Sequence, residues 1–488
     1  MKNKSIMVNT MLNTIRMTIT ILIPLITYPY ITRIFKAEGV GEYEWVKSVV
    51  SILILIASLG ISTYAIREGT KIRDDKERFS KFAQELFIIN LVSTIICYIV
   101  LGCLIATIPK FYTYRLYLSI YSVNVGLSAL SLDWVYSVYE DYKYITVRQI
   151  IVQIISVLGL FLLVHDENDL IIYIVISTIS NSGANVFNFV RARKYVSFRL
   201  FDGYNIIVHI IPVLVFFGTR FAMNAYNSLN TVVLGMMTSN EDVGYYNVSV
   251  KINTILVTFF SAMSPVYLPR MVKQIAEKNE TGYRNLLGKA IKLKTILLYP
   301  MVCGMFCFAP QIVWLIAGDG FSQSIYTLRI LSFVLMFVIL SSIIQKDIMI
   351  PTGKEKTVLL LTMISAVVNV VVSIILVYNF DYNGAAYGSL IAEGTVCIAG
   401  AVILAKNGIN LFSALPKCSY KYLASSLIMC GWCFAASRML SDNMMIICIG
   451  IPIAVAIYFG ILILLKDEIC WKAIRFLTDK IKVLRVKH

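Results

Sequence analysis

Apolar runs of about 20 residues recur along this 488-residue chain and are separated by short polar gaps. A helix needs about 20 apolar residues to cross the roughly 30 Å hydrocarbon core of a bilayer, so each run predicts a membrane-spanning helix. Runs such as 52–59 lack the alternation that the shorter strands of a membrane β-barrel would show. We predict an all-α polytopic membrane protein with about fourteen transmembrane helices, over 8–32, 46–66, 82–107, 116–138, 143–164, 170–190, 206–237, 243–268, 290–317, 325–350, 357–378, 385–405, 420–440 and 445–465.

The composition agrees with this pattern, because 58% of the residues are hydrophobic and only 15% are charged. A soluble domain carries about 25% charged residues. The formal net charge of +16 would suggest a nucleic-acid partner in a soluble protein. In a membrane protein, basic cytoplasmic loops and contact with anionic lipid explain it. We therefore expect membrane lipid, and no nucleic acid, as a partner.

Lys and Arg are divided unevenly between alternate loops. If the N-terminus is cytoplasmic, the inner loops and tails hold 34 of the 44 basic side chains and the outer loops and outer helix ends hold 7. The positive-inside rule then predicts an even number of spans with both termini in the cytoplasm. No small-residue cleavage site follows the first apolar run, so we expect that helix to be retained. The tail 467–488 interleaves apolar with basic residues, which predicts a basic amphipathic helix on the inner leaflet, with a plain solvated tail as the alternative.

A short motif recurs at equal spacing. The second helix opens with V-G-E-Y at 40–43, and the eighth opens with V-G-Y-Y at 243–246, which is 203 residues later. Arg67 and Arg270, which close these two helices, are also 203 residues apart. This spacing predicts two parallel six-helix halves related by an axis along the membrane normal. The predicted division is an N-terminal lobe (1–200), a C-terminal lobe (201–406), two added helices (407–466) and the tail (467–488).

Polar residues form a stripe on one face of the first, seventh and eighth predicted helices, which are first or second helices of the two predicted halves, at about 100° per residue. An ionised group at mid-bilayer costs at least about 2.5–3.5 kcal/mol, so the cations among them need a wet cavity or a partner. Arginine and lysine suit an anionic ligand such as a diphosphate. The alternative is that these cations bind only backbone carbonyls or a carboxylate on another helix. The candidate substrate-binding residues from the stripes are Asn13, Arg16, Arg220, Asn224, Asn227 and Lys251.

Four other charged residues lie within or near predicted helices. Lys47 and Arg33 join the substrate-binding candidates, although snorkelling of a long side chain to the interface explains them equally well. Glu393 lies mid-span in the twelfth helix, where coupling to an ion and structural pairing are equally supported. Asp133 is a second ion-coupling candidate, with pairing to Arg148 as its alternative.

Several kinds of chemistry lack their sequence pattern. The three histidines are far apart, and no phosphate-binding loop motif is present. Cys430 and Cys433 form a C-x-x-C inside a predicted span, which we interpret as small apolar residues in a helix. No long outer loop could house a catalytic domain. We therefore expect a protein that is not an enzyme, with no cofactor and no metal.

Three early stretches carry a recognisable pattern: P-L-I-T-Y-P-Y-I-T-R at 24–33, G-V-G-E-Y at 39–43 and A-S-L-G-I-S-T-Y-A-I-R-E-G-T-K at 57–71. They resemble the Wzx-type polysaccharide flippases of the multidrug/oligosaccharidyl-lipid/polysaccharide exporter superfamily. The resemblance extends over essentially the whole chain. Further matching stretches are G-Y-Y at 244–246, P-V-Y-L-P-R at 265–270, P-T-G-K at 351–354 and G-A-A-Y-G-S-L-I-A-E at 384–393.

The resemblance implies a two-lobed, alternating-access transporter of the bacterial cytoplasmic membrane with a cationic central cavity. Its substrate would be an undecaprenyl-diphosphate-linked oligosaccharide repeat unit, flipped to the outer leaflet for capsule- or O-antigen-like polysaccharide biosynthesis. A polysaccharide polymerase and glycosyltransferases are the protein partners that it implies. Two alternatives within the superfamily stay open, namely a cation-coupled multidrug exporter, which should carry carboxylates in its cavity, and a lipid II flippase.

Overall fold

The computed structural model describes residues 6–406, 419–440, 442–472 and 475, and at 6–21, 219, 222–227 and 265 it describes the backbone alone. Within these residues the secondary structure is helical, without a β-strand. The backbone of an α-helix satisfies its own hydrogen bonds within the segment, which is the condition for crossing a bilayer, and apolar side chains make its surface compatible with hydrocarbon. The α-helices, in chain order, are α1 (Ile6–Ser58), α2 (Ile61–Ile72), α3 (Lys76–Thr107), α4 (Pro109–Thr113), α5 (Arg115–Ala129), α6 (Asp133–Val138), α7 (Tyr142–Leu163), α8 (Leu170–Thr178), α9 (Ala184–Ala192), α10 (Ile207–Met237), α11 (Asn240–Ser261), α12 (Ser264–Ala276), α13 (Glu280–Cys307), α14 (Ala309–Ala317), α15 (Ser324–Ser342), α16 (Glu355–Lys406), α17 (Ser419–Met439), α18 (Asn443–Met445) and α19 (Ile451–Leu464).

Short irregular helical turns connect or extend several of these helices. Two 3₁₀ turns precede α8 and α15, at Glu167–Asp169 and Asp319–Phe321. Three π-helical stretches continue neighbouring helices, at Ile179–Gly183, Ile343–Met349 and Ile446–Gly450. Such stretches widen one turn of a helix without ending it. They therefore let a span continue across a point where the pattern of ideal α-helical hydrogen bonds is broken.

Most residues of each of the fourteen predicted spans are helical, and the all-α polytopic fold is confirmed. Nine helices in the described part of the chain are long and apolar enough to cross a membrane. Two of these nine helices each contain two predicted spans. In each of the two, a break in the helical backbone separates the spans, and no loop lies between them. The breaks fall at Lys36 in α1, with φ 53°, and at Asp381 in α16, with φ 47°.

The chain forms two compact units. The first consists of the residues up to Asn247 together with Val377–Tyr382. In it, α1 packs against α3, α5, α7 and α10, while α2 packs against α3 and α6. An apolar core of this unit joins Tyr64, Phe79, Phe82 and Trp134. The division into two six-helix halves stays a prediction.

The second unit consists of Val248–Leu376 and the residues from Asn383 onward. Within it, α13 packs against α12, α15 and α17, and α17 packs against α19. Its apolar core joins Ile296, Tyr422, Met429 and Tyr458, and the Tyr458 hydroxyl donates to the carbonyl oxygen of Ile296 at 2.6 Å. The two helices that the sequence predicts as an addition to the C-terminal half, α17 and α19, are thus tied to α13.

Many large apolar side chains of the two units are exposed. On α3 and α7 they recur every three or four residues, so that one face of each helix is apolar and exposed. In water such a surface would drive aggregation, whereas hydrocarbon solvates it. The exposed residues on these two faces include Leu91, Val92, Ile95, Ile96, Ile99, Ile151, Ile154, Ile155, Leu158 and Leu162.

The C-terminal tail begins at a buried carboxylate. Asp467 accepts a hydrogen bond from the Tyr422 hydroxyl at 2.9 Å and one from the backbone N–H of Ile469 at 2.9 Å. Next to it, Lys472 and Lys292 hold the pKa of Glu468 at about 2. Residues 473, 474 and 476–488 of the predicted amphipathic helix lie outside the described residues, as does 407–418 in the predicted connection to the last two helices.

Candidate functional site

Arg220 is the one stripe cation of the first unit whose side chain the structure describes. It lies on α10 and is exposed, and its Nε and Nη2 atoms donate to the Thr63 hydroxyl of α2 at 3.2 and 2.9 Å. The guanidinium thus has an acceptor that fixes its position while part of its surface stays open to a ligand. Lys251, the stripe cation of α11, belongs to the second unit and is half-buried.

Four other stripe candidates fall where only the backbone is described. These are Asn13 and Arg16 on α1 and Asn224 and Asn227 on α10. Their side chains lie outside the described part of the structure, and their role in binding stays a prediction.

Lys47 lies in a polar cluster that also contains a residue missed from the sequence. Its ammonium contacts the buried carboxylate of Glu44 at 2.7 Å and lies 5.4 Å from the ring centroid of Tyr43. Tyr43 in turn shares a 2.6 Å hydrogen bond with Ser177 and packs 4.6 Å from the Tyr173 ring. The i, i+3 spacing of Glu44 and Lys47 is a signal that would have revealed this pair.

The remaining predicted residues have partners of different kinds. Arg33 is exposed and donates to the Pro29 carbonyl at 2.8 Å. Asp133 binds Arg148 at 3.1 Å and accepts from the Asn188 amide at 2.6 Å, which is the pairing considered as its alternative. Glu393, on α16, accepts a hydrogen bond from Ser365. The ion-coupling roles of Asp133 and Glu393 stay predictions.

The second unit contains an ion pair that the sequence did not indicate. Lys294 on α13 contacts Asp347, and both side chains are only 2% exposed. The Lys294 ammonium also donates to the Ser264 hydroxyl at 2.9 Å. Lys294 lies near the start of the predicted span 290–317, and the helix that carries it already begins at Glu280. Buried charge of this kind requires such pairing.

Four cysteines of the second unit come together although they lie far apart in the sequence. Cys303 and Cys307 of α13 pack in the same apolar core as Cys433 of α17, and Cys430 lies beside Cys303 and Cys307. All four are free thiols. Among the described residues, no group of three or more His, Cys, Asp or Glu side chains is arranged to hold a metal ion.

A polar depression of about 540 Å³ lies in the first unit where α4 meets the start of α11. Lys110 covers part of it, donating to the Gly235 carbonyl, with its ammonium 5.6 Å from the ring centroid of Trp45. Burial lowers the pKa of Lys110, and the Glu42 carboxylate counteracts this effect. The depression could not be predicted from the sequence, because its lining comes from three stretches that are far apart in the chain. The lining residues are Glu38, Pro109, Lys110, Thr113, Tyr114, Ser239, Asn240 and Glu241.

Comparison with known proteins adds to these observations. The family described as "Polysaccharide biosynthesis protein" matches residues 6–274, and the family "MatE" matches residues 216–375. A "Putative O-antigen transporter" of Shigella dysenteriae is 25% identical over 76% of this chain and 93% of its own length. A "Probable low-salt glycan biosynthesis flippase" of Haloferax volcanii is 21% identical over 51% of each chain. The solved structure of the lipid II flippase MurJ in an inward closed conformation superimposes with a TM-score of 0.75 at 16% identity, covering 93% of this chain and 99% of that one.

Proposed function

Because the chain belongs to the polysaccharide biosynthesis protein family, we propose that it flips an undecaprenyl-diphosphate-linked oligosaccharide repeat unit from the inner to the outer leaflet. The single observation that carries this proposal is the family match, which spans more than half of the chain. The Shigella and Haloferax relatives, named for O-antigen transport and for a glycan flippase, support the same substrate class. The protein is a multi-pass transporter and not an enzyme.

The physical problem for such a substrate lies in its head group. A sugar diphosphate cannot cross about 30 Å of hydrocarbon unaided, whereas its polyprenyl tail is soluble there. In this proposal Arg220 and Lys251 bind the diphosphate together with Arg16, and the amides of Asn13, Asn224 and Asn227 contact the head group. Lys47 and Arg33 would complete the cationic lining. An inside-negative potential favours outward movement of negative charge, by about 2.3 kcal/mol per charge per 100 mV.

The two alternatives predict different contents of the cavity. A cation-coupled multidrug exporter needs carboxylates, and the stripes of the sequence carry Arg and Lys instead. The likeness to MurJ shows the fold, and a lipid II head group would also present a diphosphate to the same cations. We propose that the coupling residues are Glu393 and Asp133, and that the termini are cytoplasmic. The implied protein partners are the polysaccharide polymerase and the glycosyltransferases that build the repeat unit.

The test uses a strain in which this gene is the only remaining flippase gene of its class and is under inducible control. After depletion, we expect complete lipid-linked repeat units to accumulate on the inner leaflet, where spheroplasts protect them from an impermeant glycosidase. Accumulated lipid II would instead identify a lipid II flippase. Unchanged lipid pools with increased sensitivity to cationic drugs would identify a drug exporter, and either result would overturn the proposal.

A further inference from the structure

The two copies of the V-G-x-Y motif contact each other within the first unit. A Cβ atom on Gly41 would overlap the carbonyl oxygen of Asn240 and lie 3.0 Å from the Gly244 nitrogen. A Cβ atom on Gly244 would overlap the carbonyl oxygen of Ala37 and lie 3.1 Å from its Cα. The helices α1 and α11 therefore cross with their backbones in contact, which leaves no room for a side chain at either glycine.

The contacts are reciprocal. Asn240 follows Ala37 by 203 residues, and Gly244 follows Gly41 by the same number. The glycine of each copy thus contacts the carbonyl of the residue that lies just before the other copy, which is Asn240 for Gly41 and Ala37 for Gly244. Two surfaces related by a two-fold axis make equivalent contacts in this way. The motif that marks the repeat in the sequence is therefore also the place where its two copies meet.

Polar side chains hold the crossing from one side. The Asn240 amide donates to the Tyr114 hydroxyl at 2.6 Å, and the Tyr114 hydroxyl donates to Glu42 at 3.3 Å. Asn240 also lies 3.4 Å from the same Glu42 oxygen. Glu42 belongs to the first copy and Asn240 begins α11, so separating the helices would break these bonds.

We propose that this crossing is a gate that closes the transport path at the predicted outer side, with Gly41 and Gly244 setting how tightly it closes. The proposal rests on the proposed function, because a gate has meaning only in a transporter. In the closed state Ala37, Val40 and Val243 are 5%, 2% and 0% exposed. Opening would expose them, and a methyl group at either glycine would favour the open state by preventing close contact.

The test measures labelling and needs no substrate. The ten native cysteines are replaced by serine or alanine, Val40→Cys is introduced, and spheroplasts are treated with a membrane-impermeant maleimide. Gly41→Ala and Gly244→Ala should each raise the labelling rate about tenfold, and by similar amounts because their contacts are equivalent. The matched control is Gly102→Ala on α3, where no atom lies within 4 Å of a Cβ, and which should leave labelling unchanged.

Three outcomes would overturn the proposal: unchanged labelling in both motif variants, an equal increase in the Gly102 control, or labelling by a permeant maleimide only. The last would place the crossing on the inner side. Since none of these readouts depends on flipping, they remain distinct from a failure of the proposed function.

A second variant keeps the test decisive if the added methyl groups prevent folding. Asn240→Ala removes the bonds to Tyr114 and Glu42 but keeps the carbonyl against which Gly41 packs. We expect a smaller increase in labelling, about threefold, from the loss of these two hydrogen bonds. A labelling rate equal to that of the parent would show that the network does not hold the crossing closed.

Discussion

In the proposed binding site Arg220 would provide a charge for the substrate, and the Thr63 hydroxyl positions its guanidinium. Its two bonds to Thr63, at 3.2 and 2.9 Å, orient the guanidinium at the surface of α10. We expect the double variant Arg220→Ala, Lys251→Ala to abolish flipping, because a hydrogen bond to a charged group contributes about 1.5–3 kcal/mol and several are lost together. Thr63→Val should reduce flipping about threefold, since it removes the positioning acceptor and keeps the charge, and Thr63→Ser should restore it.

The measurement is complementation of the depletion strain, scored as the pool of inner-leaflet repeat units. Arg284→Ala is the matched control, because Arg284 forms only an exposed contact with Glu280 at 3.6 Å. Such a pair contributes little, so this variant should flip normally. A double variant that is expressed and flips at the parental rate would remove Arg220 and Lys251 from the binding site.

We expect the buried ion pair of Lys294 and Asp347 to matter for the stability of the fold. Each side chain is 2% exposed, so removing one leaves the other as an unpaired buried charge. We expect Lys294→Met or Asp347→Leu to destabilise the protein by about 3–5 kcal/mol, and the combined change to recover most of that loss. Thermal unfolding of the purified protein in detergent measures the stability of all three variants. Lys273→Met is the control, because it removes only the exposed pair with Glu277. Additive losses in the double variant would show that the two charges do not depend on each other.

At the scale of elements, the turn between α1 and α2 depends on one glycine. Gly60 has φ 70°, and a Cβ there would lie 2.8 Å from the backbone of Phe216 and Phe217 on α10. Gly60→Ala combines a left-handed conformation, which costs about 1–2 kcal/mol, with overpacking that costs about 1–3 kcal/mol. We expect a clear loss of thermal stability, whereas Gly102→Ala, in open surroundings, should stabilise α3 by about 0.5–1 kcal/mol. Equal melting temperatures for these two variants would contradict this explanation of the turn.

Hydropathy predicts the helices well because crossing a bilayer demands long apolar runs. It does not indicate the helix at 33–45, which lies between the predicted spans 8–32 and 46–66. There the chain stays helical except at Lys36, since Val40, Tyr43 and Trp45 are buried. Packing on other helices outweighs the low helix propensity of Gly39 and Gly41.

Residues of the candidate site can be grouped from the sequence only where they share one helix. The stripe with Arg220 and the pair of Glu44 and Lys47 follow a helical period, which a sequence displays directly. Lys294 and Asp347 are 53 residues apart on helices whose contact depends on the whole fold. No local pattern contains that information, and the same holds for the cysteines of α13 and α17.

At the scale of the whole molecule, the orientation in the membrane is still a prediction, and the gate proposal depends on it. Arg and Lys favour the cytoplasmic side, and 34 of 44 fall there if the N-terminus is inside. A single miscounted span would place the basic stretch 270–294 outside and remove this asymmetry.

We therefore expect green fluorescent protein to fluoresce, and alkaline phosphatase to be inactive, when fused after Asp74 or His488. Fusions after Glu167 should behave in the opposite way, because this residue precedes α8 on the predicted outer side. Active phosphatase after His488 with inactive phosphatase after Glu167 would show that the protein has the opposite orientation in the membrane. The crossing of Gly41 and Gly244 would then close the path from the cytoplasm.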